Sequence, residues 1–221
     1  MHIYLKPLVQ ELERHANDKD AIKMKAYMKD RFEMFGIKTP ARRMIAREFL
    51  LEYGLPEFRD LEKIVFACFA FPERELHHFG IELCGKFKKQ WTPETVKLFE
   101  RMTITKSWWD SVDSINIFCI KPYFARIPND IYSITQAWID SNNVWLQRLS
   151  IIFQLRLTDK TDRNILSRNI LQLNDSEKFF VQKAIGWALR DLAHTDPDWV
   201  LEFVQKNELK PLSRREALKH I

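Results

Sequence analysis

Apolar residues recur at helical spacing along almost all of this 221-residue chain, and that single periodicity leaves little besides packed helices as a fold. The punctuation agrees with it. The pattern predicts helices over Tyr4–Arg14 and over Ala21–Met34, the latter ended by Gly36. Pro40 opens a third to Tyr53, closed by Gly54, the usual arrangement of proline at the start and glycine at the end. Phe58–Phe71 and Glu73–Phe87 read as the fourth and fifth. Only 5 glycines occur, too few for a β-rich fold built on tight turns.

The remainder reads as helix pairs with Pro, Asn, Asp or Ser at the caps. They are Pro93–Met102 with Ser107–Ile120, Pro128–Ser141 with Val144–Leu157, Asp162–Leu173 with Ser176–Ala193, and Pro197–Lys206 with Ser213–Ile221. The pairs also repeat. Val144-Trp-Leu-Gln-Arg148 aligns with Phe179-Phe-Val-Gln-Lys183, and a similar shift puts Trp108 on Trp145. Two helices per period of about 35 to 37 residues is the pattern of an α-solenoid of HEAT-like helix pairs; the plainer alternative is a helical bundle. No linker, low-complexity tract or composition break interrupts residues 1–221, so one domain is expected.

The charge balance, 35 basic against 30 acidic residues and a net +5, admits a polyanionic partner without demanding one. Cys68, Cys84 and Cys119 are odd in number and widely spaced, so they read as buried thiols in a reducing compartment. The start Met1-His2-Ile3-Tyr4 lacks the basic and apolar runs of a signal peptide, and no stretch is apolar enough to span a membrane. A soluble cytoplasmic chain is expected.

In Ser107-Trp-Trp-Asp-Ser-Val-Asp113, Trp109 and Asp113 are one helical turn apart and share a face. Arg148 follows Asp113, and Lys183 follows Arg148, each by about one repeat; Trp187 is one turn beyond Lys183. Equivalent helices of a solenoid lie side by side, so a carboxylate, a guanidinium and two indoles are expected on one surface. Taken singly each has an ordinary reading: a core tryptophan, a surface aspartate, an ion pair, a solvated lysine. No HExxH, P-loop or GxGxxG occurs, and the neighbours His77 and His78 point in different directions, so neither metal nor cofactor is expected.

These runs carry a resemblance. Ser107–Asp113, Trp145-Leu-Gln-Arg148-Leu and Phe180-Val-Gln-Lys-Ala-Ile-Gly-Trp187-Ala-Leu-Arg190 closely resemble the AlkD-type DNA alkylation repair glycosylases. So do Met28-Lys29-Asp30-Arg31-Phe32 through Gly36-Ile37, Pro40-Ala-Arg42-Arg43, and the ending Ser213-Arg-Arg-Glu-Ala-Leu-Lys219. The resemblance covers essentially the whole chain. It implies stacked HEAT-like repeats with a basic concave groove for duplex DNA, and excision of cationic N3- and N7-alkylpurines. It makes Asp113 the catalytic carboxylate, Trp109 and Trp187 its aromatic walls, Arg148 the holder of DNA and carboxylate, and Tyr27 a further site aromatic.

The chemistry suits those residue types. An alkylpurine that already carries positive charge leaves as a neutral base without a general acid. Positive charge instead develops on the deoxyribose, where a fixed carboxylate stabilises it and can orient or deprotonate water. Indole faces attract the same cationic centre. Arg148 should keep Asp113 ionised. Lys25, Lys29, Arg42, Arg43, Lys106, Lys183 and Arg190 are candidates for phosphate contacts. The expected enzyme is a monomeric, monofunctional glycosylase of base excision repair, acting on double-stranded DNA and leaving an abasic site. Whether the base is flipped into a pocket stays open, as does a noncatalytic HEAT-repeat scaffold that binds DNA or protein. A nuclease is disfavoured because its metal-binding carboxylate cluster is missing from the sequence.

Overall fold

The computed structural model describes residues 2–219. Among them every regular element is a helix, and the one β-type pairing is an isolated bridge between Glu33 and Glu73. Helix pairs of α-solenoid type build it. Contacts group the chain into two compact units, Met1–Thr92 and Pro93–Ile221, although no linker separates them in the sequence.

The first unit contains α1 (Lys6–Arg14), α2 (Asp18–Tyr27), α3 (Thr39–Tyr53), α4 (Leu61–Ala70) and α5 (Arg74–Cys84). Helix α3 follows its signals: Pro40 sits in its first turn and Gly54 ends it at φ 72°. Helix α2 does not reach Met34. It starts early because the Asn17 side chain accepts from Asp20 N–H, and it stops at Tyr27 because Lys29 and Asp30 turn left-handed, at φ 58° and 54°. Gly36 then lies in a loop rather than at a helix end. Its φ is 82°, and a Cβ there would be 2.1 Å from the Asn17 carbonyl. The buried Glu75 carboxylate replaces the missing helical bonds, accepting from the N–H groups of Phe35, Gly36 and Ile37 at 3.2, 3.0 and 3.1 Å. Short 3₁₀ turns open α4 at Phe58–Asp60 and follow α5 at Gly85–Gln90, so both α-helices are shorter than expected.

The second unit stacks four pairs: α6 (Val96–Ile104) with α7 (Trp109–Ile115), α9 (Ile131–Asp140) with α10 (Val144–Ile152), α11 (Arg163–Leu173) with α12 (Phe179–Ala193), and α13 (Pro197–Lys206) with α14 (Pro211–Ala217). Asn143, Asp162 and Asp196 cap α10, α11 and α13 with their side chains. The second members pack in order, α7 on α10, α10 on α12 and α12 on α14. Their buried residues, among them Val112, Leu149, Ile152, Ile185 and Leu189, form the core between the layers. Each such side chain contributes roughly 1.5–3 kcal/mol by leaving water. Helix α7 runs on past the expected Ile120, through a π-helical turn at Asn116–Ile120 into α8 (Lys121–Arg126). The widened turn lies where Pro122 offers no N–H and its ring crowds the carbonyl four residues back. The expected last helix is observed as Pro211–Ala217, and its predicted end at His220 and Ile221 lies outside the described residues.

Cys68, Cys84 and Cys119 are buried free thiols, and burial pushes the Cys68 thiol well up from its ordinary value. Among the described residues no helix is long and apolar enough to cross a membrane, and no cluster of His, Cys, Asp or Glu is arranged to hold a metal ion.

Candidate active site

Trp108 is extended, at φ −154° and ψ 166°, and serves as the N-cap of α7. Its N–H donates to Ser111 Oγ at 3.4 Å and its carbonyl accepts from the same hydroxyl at 3.1 Å. That fixes the first turn, so Trp109 opens the helix and Asp113 follows one turn later on the same face.

Asp113 meets Arg148 of α10 in a two-pronged pair. Arg148 Nε donates to Oδ1 at 2.9 Å and Nη2 to Oδ2 at 3.0 Å. The remaining arm, Nη1, donates to the Phe180 carbonyl of α12 at 3.1 Å. One guanidinium thus ties three successive inner helices, and its planar fork holds the carboxylate in a single orientation. The Arg148 side chain is only 5% exposed, while that of Asp113 keeps 19%. The Arg148 guanidinium carbon is also 5.6 Å from the centre of the half-buried Trp187 ring.

Two further bonds set the register of α7 and α8 against α10. Asn116 Nδ2 donates to the Ile152 carbonyl at 2.9 Å, and Lys121 Nζ donates to the Leu155 carbonyl. The extra residue of the π turn brings Lys121 back to the side that faces α10. At the start of the same three helices, Trp108, Trp145 and Phe180 pack as an aromatic wedge, with centroids 4.7–5.8 Å apart.

Burial pushes the Asp113 carboxyl above its ordinary value of 3.8; Arg148 pulls it back by charge and hydrogen bonding, and Asp110 adds to the rise. Arg148 therefore acts in the expected direction, but desolvation outweighs it.

The sequence profile of the DNA alkylation repair enzyme family matches residues 8–221. The chain belongs to that family. A solved structure described as a predicted DNA alkylation repair enzyme from Enterococcus faecalis superposes with a TM-score of 0.86 at 32% identity, covering 93% of this chain and 96% of that one. No curated protein matches. Its family thus assigns the chain to enzymatic repair of DNA alkylation damage.

The other residues read as DNA contacts from the sequence of this DNA alkylation repair enzyme fall into two groups. In the second unit, Lys183 Nζ and Arg190 Nη1 both reach Glu216 of α14, at 2.9 and 2.7 Å. Those bonds, with burial opposing them, hold the Glu216 carboxyl down to about 2. Lys106 is exposed, at φ 45°, in the turn before α7. In the first unit, Tyr27 at the end of α2 and Lys29 just beyond it are exposed. Arg42 is buried, however, and grips Glu82 with both arms at 3.0 and 2.8 Å, and Arg43 Nε donates to the same carboxylate at 2.9 Å. Burial pushes the Glu82 carboxyl up, but Arg42 and Arg43 carry it below its ordinary value. Lys25 pairs with Glu33.

Sequence reasoning passed over Glu216, Glu82 and Asn116. Glu216 stands in the Ser213–Lys219 run, yet nothing in its spacing ties it to α12. Glu82 lies about 40 residues from its partners with no periodic relation to them. Asn116 looks like any polar residue in a helix until the π turn is seen.

Proposed function

We propose that this DNA alkylation repair enzyme is a monofunctional glycosylase that hydrolyses the N-glycosidic bond of cationic N3- and N7-alkylpurines in duplex DNA. The observation that supports it best is the Asp113–Arg148 pair: a carboxylate locked in one orientation, with part of its surface wet, by an arginine whose guanidinium carbon is 5.6 Å from the centre of the Trp187 ring. In this reading the C1′–N9 bond of an N7-alkylguanine breaks, and its electron pair leaves with the base and cancels the ring's positive charge. The deoxyribose becomes cationic at C1′. Asp113 and the indoles of Trp109 and Trp187 stabilise that centre. A water oxygen adds to C1′, and Asp113 receives the proton the water loses.

Arg148 is assigned first to holding Asp113, since three of its N–H groups are committed inside the protein. Candidates for phosphate contact are Lys183, Arg190 and Lys106 in the second unit, and candidates for DNA contact are Lys29, Arg43 and Tyr27 in the first. Arg42 contributes by fixing Glu82 beneath Arg43.

The test is incubation with duplex DNA containing a single N7-methylguanine, followed by alkali. Strands should break only after alkali, the mark of an abasic product without lyase action. Asp113→Asn should lower the single-turnover rate by about 10²–10³-fold, the usual scale for removing one preorganised electrostatic group. A near-normal rate in that variant would take the carboxylate out of the mechanism.

A further inference from the structure

The cations that flank Trp187 are already occupied. Lys183, Trp187 and Arg190 recur at one-turn intervals on α12 and so form one stripe. Across from it, a single oxygen of Glu216, Oε2, is 2.9 Å from Lys183 Nζ and 2.7 Å from Arg190 Nη1. Arg190 Nη1 also donates to the Glu216 carbonyl at 3.1 Å. The approach of the two helices is unusually close because Gly186 lies between the two cations: a Cβ there would be 2.4 Å from Glu216 Cβ and 2.8 Å from the Ser213 carbonyl. Ser213 Oγ adds a bond to the Gln182 carbonyl at 3.1 Å. The Glu216 side chain is left 14% exposed, against 37% for Lys183 and 21% for Arg190. The carboxyl is held down to about 2, so it is an anion under any condition in which duplex DNA exists.

A carboxylate fixed between two cations subtracts from what they can offer a phosphate. Each cation that neutralises a phosphate releases counterions, and that release supplies most of sequence-independent affinity. We propose that Glu216 is a specificity-determining residue, an internal competitor for DNA phosphate that holds down binding of undamaged duplex at the Trp187 helix. The proposal rests on the glycosylase reading. An enzyme of that kind meets a vast excess of undamaged sites, so the ratio of specific to nonspecific affinity matters more than either alone. A cationic lesion gains from Asp113 and the indoles, which do not depend on Glu216. Lowering the shared phosphate contribution therefore widens the ratio.

The test measures binding of a fluorescent undamaged duplex between 50 and 200 mM salt. Glu216→Gln keeps the shape of the side chain and removes the charge. It should bind about five- to tenfold more tightly near 0.1 M salt, with a slope of log K against log salt steeper by about 0.9. Equal or weaker binding, or an unchanged slope, overturns the proposal. A second measurement does not rely on that variant folding. Because one carboxylate offsets the two cations, Lys183→Met with Arg190→Met should flatten the slope by about 0.9; a loss near 1.8 would mean that both cations were fully available, and would also overturn it. If N7-methylguanine is excised but these shifts are absent, Glu216 is only structural and the glycosylase reading stands. If the shifts are present but no base is released, the competition stands and the glycosylase reading falls.

Discussion

At the scale of single residues, Asp113 carries two opposing influences, and their balance can be measured. Desolvation raises its carboxyl above 3.8 and Arg148 opposes that rise. If the ionised form does the work, activity is lost as pH falls through the folded value, so the acidic limb of the single-turnover rate should lie above pH 3.8. Arg148→Met removes the opposing influence and should move that limb further up, not down. It should also cost about 3 kcal/mol of stability, the low end for breaking a buried pair, because Asp113 keeps a wet edge. A rate–pH profile and a urea titration of the same variant read the two effects separately. An acidic limb that stayed in place would mean Arg148 does not act on the Asp113 carboxyl.

At the scale of elements, the joints between helices decide what the helices can present. The α12–α14 contact is the tightest example. Gly186→Ala ought to help an isolated helix by about 1 kcal/mol. Here the added methyl would run into Glu216 Cβ and the backbone of Ser213, at 2.4 and 2.8 Å, so α14 must move away. Overpacking of that kind costs about 1–3 kcal/mol, so a net loss of up to about 2 kcal/mol is expected in urea unfolding. A stabilised variant would show that α14 docks more loosely than this geometry. The joints are also where the sequence was least readable. Helix α3 was legible because Pro40 and Gly54 mark its ends locally. The inner helices were legible because Asp113, Arg148 and Lys183 recur with the repeat, with Trp187 one turn beyond. The early end of α2 was not, since Lys29 and Asp30 adopt a left-handed turn that their residue types do not demand. The loop that follows is held by Glu75, distant in sequence, whose carboxylate accepts from the N–H groups of Phe35, Gly36 and Ile37. The continuation of α7 through Pro122 was hidden for the opposite reason: proline reads as a stop unless a π turn absorbs it.

At the scale of the whole molecule, a net charge of +5 is shared among 35 basic and 30 acidic residues, and the pairing of those charges matters more than the sum. Lys25, Arg42, Arg43, Arg148, Lys183 and Arg190 were all candidates for phosphate from the sequence. Each is engaged with an internal carboxylate, on Glu33, Glu82, Asp113 or Glu216. A cation that stays closed on such a partner neutralises no phosphate and releases none of its counterions. Binding of undamaged duplex should therefore have the salt dependence of only a few phosphates, on the order of four, with a slope near −3.6. Between 50 and 200 mM salt that is a loss of affinity on the order of 10²-fold. If every cation named in the sequence reading met a phosphate of its own, the slope would be near −7, with a loss more than tenfold larger over the same range. The measured slope thus separates two pictures. A shallow one leaves the internal pairs closed when DNA binds, with specificity resting on the Asp113 cluster. A steep one means that the carboxylates let go, and that binding rearranges the very contacts that hold α10, α12 and α14 in register.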